Sequence, residues 1–173
     1  MTAITRLFGE AEIARRVEAM AREIAGRLPG DFTMVGLLTG SFVFVADLIR
    51  ALDRVGAMPR VGFVQLSSYG AAKESSGVVR LQGGLPEDLT GRTLLLVDDI
   101  TDSGRTLVEA KRLLAERRTA AIWTCTLLDK PSRREVESEA DFIGFQIEDV
   151  FVVGYGIDYA EGYRHLPYIG VVE

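Results

Sequence analysis

One stretch of the chain gathers most of the groups able to do chemistry: Leu94-Leu95-Leu96-Val97-Asp98-Asp99-Ile100-Thr101-Asp102-Ser103-Gly104-Arg105-Thr106. A continuous aliphatic run reads as a strand buried on both faces. Asp98 and Asp99 cannot belong to that apolar core, so both carboxylates must face solvent or a ligand. Asp102-Ser103-Gly104-Arg105-Thr106 then opens a helix. Backbone amides at a helix start, the Ser103 and Thr106 hydroxyls and a permissive Gly104 together make a phosphate cradle. Plain N-capping by Asp102 or Ser103 accounts for that pair of residues but leaves Asp98 and Asp99 unexplained. The spacing matches neither the G-x-x-x-x-G-K loop nor the G-x-G-x-x-G fingerprint. A strand, two acids, two spacers and then D-S-G-x-T is more specific than either glycine motif alone.

The elements that must position these groups follow from hydrophobic spacing. Ile13, Val17, Met20, Ile24 and Leu28 recur every three or four residues, so residues 10–28 read as an amphipathic helix. Pro29-Gly30-Asp31 stops it. Residues 33–38 form a short apolar strand, and Ser41 caps a helix running to about residue 54. Residues 61–66 and 94–97 supply further strands, and residues 104–116 a helix with Leu107, Ala110, Leu113 and Leu114 turned inward. Residues 121–128 and 150–153 give two more strands. This alternation predicts a parallel sheet covered on both faces, with the ligand beyond the carboxyl ends of its strands. Between the second and third strands, residues 67–89 are rich in Gly and Ser, and only residues 78–81 look like strand. No repeat, low-complexity tract or linker interrupts the chain, which predicts a single domain over residues 1–173.

Composition narrows the class. Of the 173 residues 47% are apolar and 26% charged, enough apolar material for a core without disulfides or structural metal. The single cysteine cannot form an internal disulfide, and no C-x-x-C pair exists for zinc or redox work, which suits a reducing cytoplasm. The first six residues lack a signal-peptide pattern, and no stretch approaches membrane-spanning length, so no membrane partner is expected. Net charge is −5 with both signs interspersed. The short basic runs Arg15-Arg16, Arg117-Arg118 and Arg133-Arg134 each lie near acids and read as solvated helix surface. A nucleic-acid face is therefore not expected, whereas a small anionic substrate is compatible.

The strand-acid-acid-apolar-x-D-S-G-x-T segment resembles the signature of the type I phosphoribosyltransferases. Leu127-Leu128-Asp129-Lys130-Pro131-Ser132-Arg133-Arg134, Phe151-Val152-Val153-Gly154-Tyr155-Gly156-Ile157-Asp158-Tyr159 and Tyr163-Arg164-His165-Leu166-Pro167-Tyr168-Ile169-Gly170 are similar to the bacterial hypoxanthine-guanine branch of that family, as are Thr39-Gly40-Ser41-Phe42 and Ser67-Ser68-Tyr69-Gly70. The likeness runs from about Gly36 to the C-terminus. It implies a mostly parallel twisted sheet flanked by helices, a small hood near the C-terminus and a flexible loop over the site. The implied reaction joins hypoxanthine or guanine to 5-phosphoribosyl diphosphate with Mg²⁺. The resemblance further implies that Asp98 and Asp99 face the ribose hydroxyls near the metal, with Ile100 beside them. Asp102, Ser103, Gly104, Arg105 and Thr106 cradle the 5′-phosphate. Asp102 takes the proton from the imidazole-ring nitrogen of the base. Lys130 donates to the 6-oxo group, Phe151 stacks on the purine and the Val152 backbone reads its edge. Asp158 lies near metal and pyrophosphate, while Arg164 and the Thr39–Gly40 peptide bind pyrophosphate. A homodimer or homotetramer is implied as well. Adjacent carboxylates suit an oxocarbenium-like ribosyl centre, and Mg²⁺ suits a departing pyrophosphate.

This sequence departs from the family pattern at three places: Asp98 stands where Glu is usual, Thr101 replaces an aliphatic residue, and Gln82-Gly83-Gly84 interrupts a more charged segment. None removes a chemical role. Cys125 and Trp123 read as packing, and His165, without a Ser or Cys nucleophile motif, as surface or interface. Residues 67–77 hold small and polar side chains around Tyr69 and start at the ligand edge, so they are expected to form a lid that excludes water. A regulatory member of the same fold that binds RNA or DNA is the alternative. The acidic balance and the complete base pocket stand against it.

Overall fold

The structure, a computed structural model, describes residues 2–69, 78–86 and 88–173. In chain order it contains β1 (Ile4–Phe8), α1 (Glu10–Arg27), β2 (Phe32–Leu37), α2 (Phe42–Arg54), β3 (Arg60–Tyr69), β4 (Val78–Gly83), β5 (Thr93–Thr101), α3 (Arg105–Ala115), β6 (Ala121–Asp129), β7 (Phe142–Gln146), β8 (Val152–Val153) and β9 (Ile169–Val172), with one 3-10 turn at Pro131–Arg133. Six strands form the main sheet in the order β4-β3-β2-β5-β6-β7. Every neighbour pair in it is parallel except β3 with β4. The mostly parallel sheet expected from the sequence is therefore present.

Alternation along β5 explains the two layers. Leu95 and Val97 point into the core shared with α1 and α2, where Met20, Ile24, Phe44 and Leu48 are sealed from solvent. Leu94 and Leu96 point the other way, against Leu107, Ala110 and Leu114 of α3. The α1 prediction holds to within a residue. Its N-terminal half also reaches the sheet edge: Arg16 donates from Nε to the Gly144 carbonyl at 2.7 Å and from an Nη to the Ile143 carbonyl at 2.7 Å. That guanidinium covers part of the outermost strand, β7, a role its reading as solvated surface did not foresee.

Two expectations and one omission need correction. Residues 150–153 were read as a strand of the parallel sheet, but only Val152–Val153 is strand, and it pairs antiparallel with β9 in a separate sheet of order β1-β9-β8. The N-terminal strand β1 was not foreseen at all; it pairs antiparallel with β9, joining the two chain ends into the hood. Its burial alternates too weakly to be read as a strand, since Thr5, Arg6 and Leu7 are all exposed. Ser41 does begin α2, yet its hydroxyl donates back to the Leu37 carbonyl at 2.5 Å instead of capping the helix. Among the described residues no helix is long and apolar enough to cross a membrane. Residues 70–77, most of the expected lid, lie outside the described residues, as do the side chains of Ser68 and Tyr69.

Candidate active site

β5 runs four residues past its aliphatic stretch before it ends, carrying Asp98 and Asp99 on a strand that is hydrogen-bonded to β6 as far as Thr101. Period-two alternation sends the two carboxylates to opposite faces. Asp99 faces the segment between β2 and α2. A Cβ built on Gly40 would sit 1.9 Å from Asp99 Oδ2, so only glycine lets that backbone lie against the acid. Asp98 is 7% exposed. Burial, and after it the charge of Asp99, hold its carboxyl well above the usual carboxylate range. The main chain helps to fix both groups: the Asp99 amide donates to Asp98 Oδ1 and the Ile100 amide to Asp99 Oδ1, each at 2.9 Å.

Two adjoining hollows meet at these acids. A cleft of about 570 Å³ is lined by Thr39, Gly40, Asp98, Asp99, Asp158 and Arg164. A smaller hollow of about 270 Å³ is enclosed by residues 98–104 with Thr106 and Leu107. In its floor the chain turns through Gly104, whose φ of 87° is left-handed, before α3 begins. The turn is braced from beneath: the Glu135 amide donates to the Ser103 carbonyl at 2.9 Å, and Arg134 donates to the Asp102 carbonyl at 2.9 Å. Arg134 also forms an ion pair with buried Asp129 at 2.5 Å. Its reading as solvated surface is therefore wrong. The Arg105 side chain lies outside the cradle, paired with Glu135 at 2.7 Å, which leaves this residue only its backbone to offer a phosphate. The Thr101 hydroxyl, the departure noted above, is buried without a partner among the described residues.

Lys130, Phe151 and Val152 make a second group. Lys130 follows the last residue of β6, is only 6% exposed, and its amide donates to the Thr101 carbonyl at 2.9 Å. Val152 is buried in β8, whereas the adjoining Phe151 ring is 53% exposed and meets Tyr159 edge-on at a centroid distance of 5.4 Å. An exposed aromatic ring suits stacking on a flat heterocycle, and a buried ammonium suits a hydrogen-bond acceptor at the rim of one. The two groups are linked by a chain of charge that sequence reasoning missed. Asp102 Oδ1 meets Arg133 Nε at 3.1 Å, Arg133 meets Asp149 Oδ2 at 3.5 Å, and Asp149 Oδ1 lies 4.0 Å from Lys130 Nζ. Nothing in the spacing of Asp149 marks it; only the return of residues 147–150 beside the 3-10 turn brings it there.

Among the described residues no set of three acids, histidines or cysteines is close enough to hold a metal alone. Asp158 is itself paired with Arg164 at 3.2 Å. Asp98 and Asp99 nevertheless fit a hard cation: the donors are all oxygen, Asp98 resists ionisation without a counter-charge, and Mg²⁺ is commonly held by one or two carboxylates plus substrate phosphates.

Because the Asp98 carboxyl titrates higher when folded than the roughly pH 4 of an unfolded chain, the folded state binds the extra proton. Its cost is absent below about pH 4 and grows as pH rises toward the folded value. Asp98→Asn is therefore expected to melt above the wild type at pH 8 without divalent cations, with the gap closing toward pH 4. Thermal unfolding across pH checks this, and a gap that widens on acidification contradicts it.

The phosphoribosyl transferase domain family matches residues 5–160. The hypoxanthine phosphoribosyltransferase of Escherichia coli (strain K12) is 49% identical over 166 residues, spanning 94% of this chain and 92% of that protein. A solved hypoxanthine-guanine phosphoribosyltransferase from Bacillus anthracis superposes with a TM-score of 0.88 at 38% identity, over 100% of both chains. A mutant hypoxanthine phosphoribosyltransferase of Trypanosoma cruzi, solved with the product IMP, gives a TM-score of 0.90 at 36% identity over 99% of this chain and 91% of that one. With the double-acid strand end and the D-S-G-x-T turn lining adjoining hollows, the chain belongs to the phosphoribosyltransferases, in their hypoxanthine-guanine branch.

Proposed function

We propose that this protein is a purine salvage enzyme that transfers the 5-phosphoribosyl group from 5-phosphoribosyl diphosphate to hypoxanthine or guanine, giving IMP or GMP and pyrophosphate. The observation that carries the reading is the meeting of the Asp98-Asp99 strand end with Thr39, Gly40, Asp158 and Arg164 in one cleft. In this reading the bond from the ribosyl anomeric carbon to pyrophosphate breaks, the bond to the base nitrogen forms, and that base's imidazole-ring proton passes to Asp102. Residues 102–106 bind the 5′-phosphate. The Thr39–Gly40 peptide and Arg164 receive the pyrophosphate. Lys130 donates to the 6-oxo group, Phe151 supplies a stacking face and the Val152 backbone reads the base edge. Asp98 and Asp99 address the ribose hydroxyls and, with Asp158 nearby, the metal. Mg²⁺, when bound, neutralises charge on the departing pyrophosphate. A single domain, cytoplasmic, assembled as a dimer or tetramer, is part of the same proposal. The lone Cys125 is buried, which favours that compartment, and exposed Leu38 and Phe42 beside Thr39 favour assembly. Light scattering of the purified protein tests the assembly.

Asp102→Asn keeps the shape of the side chain but cannot take a proton. It should lower kcat by roughly 10²–10⁴-fold, while phosphoribosyl diphosphate affinity changes far less. Stopped or continuous ultraviolet assays with hypoxanthine measure this, and near-normal turnover removes Asp102 from the role.

An ammonium donates and cannot accept, so Lys130 selects a 6-oxo over a 6-amino group. Lys130→Ala should depress kcat/KM strongly for hypoxanthine and guanine and leave adenine as poor a substrate as before. Equal losses on oxo and amino bases would point to general electrostatics instead.

Exhaustive chelation should abolish turnover, and added Mg²⁺ should restore it. Full activity in the chelator would sink the metal assignment. A gel shift with RNA or DNA in the absence of turnover would favour the nucleic-acid alternative.

A further inference from the structure

The segment Gly154-Tyr155-Gly156 has three successive residues with positive φ, at 96°, 51° and 96°. For tyrosine that conformation is uncommon, so something must hold it. Its phenol is buried, with the residue 6% exposed, and donates to Asp47 Oδ2 on α2. Asp47 Oδ1 in turn accepts from Arg50. Burial, and after it the Asp47 carboxylate, push the phenol pKa up, so it remains a donor throughout the working pH range.

The turn that Tyr155 anchors touches the candidate pyrophosphate site from two sides. A Cβ on Gly156 would lie 2.7 Å from the Gly40 carbonyl oxygen, so the turn rests directly on the Thr39–Gly40 segment. The Gly156 carbonyl accepts from Arg164 at 2.7 Å, while the Gly156 amide donates to the Arg164 carbonyl at 3.1 Å. The base pocket is held differently. Val152 and Val153 are laddered by backbone hydrogen bonds onto Val171 and Gly170 of β9.

We propose that Tyr155 and Asp47 are a positioning pair: their hydrogen bond clamps the 154–157 turn to α2, and so holds Gly40 and Arg164 where pyrophosphate is bound, with little effect on the purine pocket. Neither residue lines the cleft that holds Thr39, Gly40 and Arg164. The inference rests on the function proposed above, and its test is chosen to read separately from it.

Calorimetric titration of the full-length protein with pyrophosphate and Mg²⁺ reads the clamp without turnover. Tyr155→Phe removes only the phenolic oxygen and should weaken pyrophosphate binding roughly 10-fold, the scale of one hydrogen bond to a charged group. In initial-rate assays it should raise the KM for phosphoribosyl diphosphate by a similar factor and shift that for hypoxanthine less than about twofold. Asp47→Ala, which also releases Arg50, should reproduce these changes, and the double variant should be no worse than Asp47→Ala alone, because both lack the Tyr155–Asp47 bond. Asp47→Asn retains an acceptor oxygen and should recover most of the affinity. Unchanged pyrophosphate affinity in Tyr155→Phe overturns the proposal, as do equal rises in both KM values or an additive double variant. Failure of the wild type to turn over hypoxanthine, with pyrophosphate binding still dependent on Tyr155, would refute the proposed reaction and leave the clamp standing.

Discussion

The site is organised by one electrostatic constraint: two adjacent carboxylates stand at the end of a strand that is otherwise sealed in the core. β5 lies between β2 and β6, so hydrogen bonds on both sides fix where Asp98 and Asp99 emerge. Side-chain motion cannot relieve their repulsion by much, since Asp98 is buried and each acid is tied to a following amide. Arg164, the cation that lines the same cleft among the described residues, is paired with Asp158. A centre that develops positive charge, or a cation brought in with phosphates, meets a need that the fold creates and leaves open.

The surrounding contacts make sense as ways of holding backbone against that strand end. Gly40 approaches Asp99 because it has no side chain, and Gly156 approaches Gly40 for the same reason. Three segments distant in sequence thus stack main chain on carboxylate and main chain on main chain, where any added methyl group would intrude. On the other side, the Asp129–Arg134 pair sits under the phosphate turn. Buried pairs of this kind are poor stabilisers overall, but breaking one leaves an uncompensated charge. Arg134 also reaches the Asp102 carbonyl, so the pair ties the end of β6 to the loop that carries the expected general base.

The hood obeys a separate logic. β1 and β9 bring the two chain ends together, and β8 adds the residue that follows Phe151. That short antiparallel sheet holds the exposed aromatic ring in place while the parallel sheet holds the acids. The two meet through the 154–157 turn, which rests on the Gly40 carbonyl, while the charge chain from Asp102 by way of Arg133 and Asp149 to Lys130 joins loops at the end of the parallel sheet.

The sequence by itself determined the elements whose signal is local. The aliphatic run from Leu94 to Val97, the three- and four-residue spacing from Ile13 to Leu28 and the break at Pro29-Gly30 each need only neighbours along the chain, and the structure agrees with them to within a few residues. The Asp98-Asp99 and D-S-G-x-T segments were legible for the same reason, because strand end, turn and helix start are contiguous. Strands β1, β7 and β9 were not: they are short, and β1 and β7 bury little of one face, so hydrophobic periodicity cannot mark them before a partner is known. Arg133 and Arg134 read as surface because a basic pair carries no sign of whom it will meet; Asp102 lies 31 residues before Arg133. Nothing in the sequence around Tyr155 marks the partner of its phenol, Asp47, 108 residues away. Chemistry written in one segment can be read from sequence, whereas partners joined by long loops exist only once the sheet and hood have closed, since the chain encodes that meeting in packing and not in spacing.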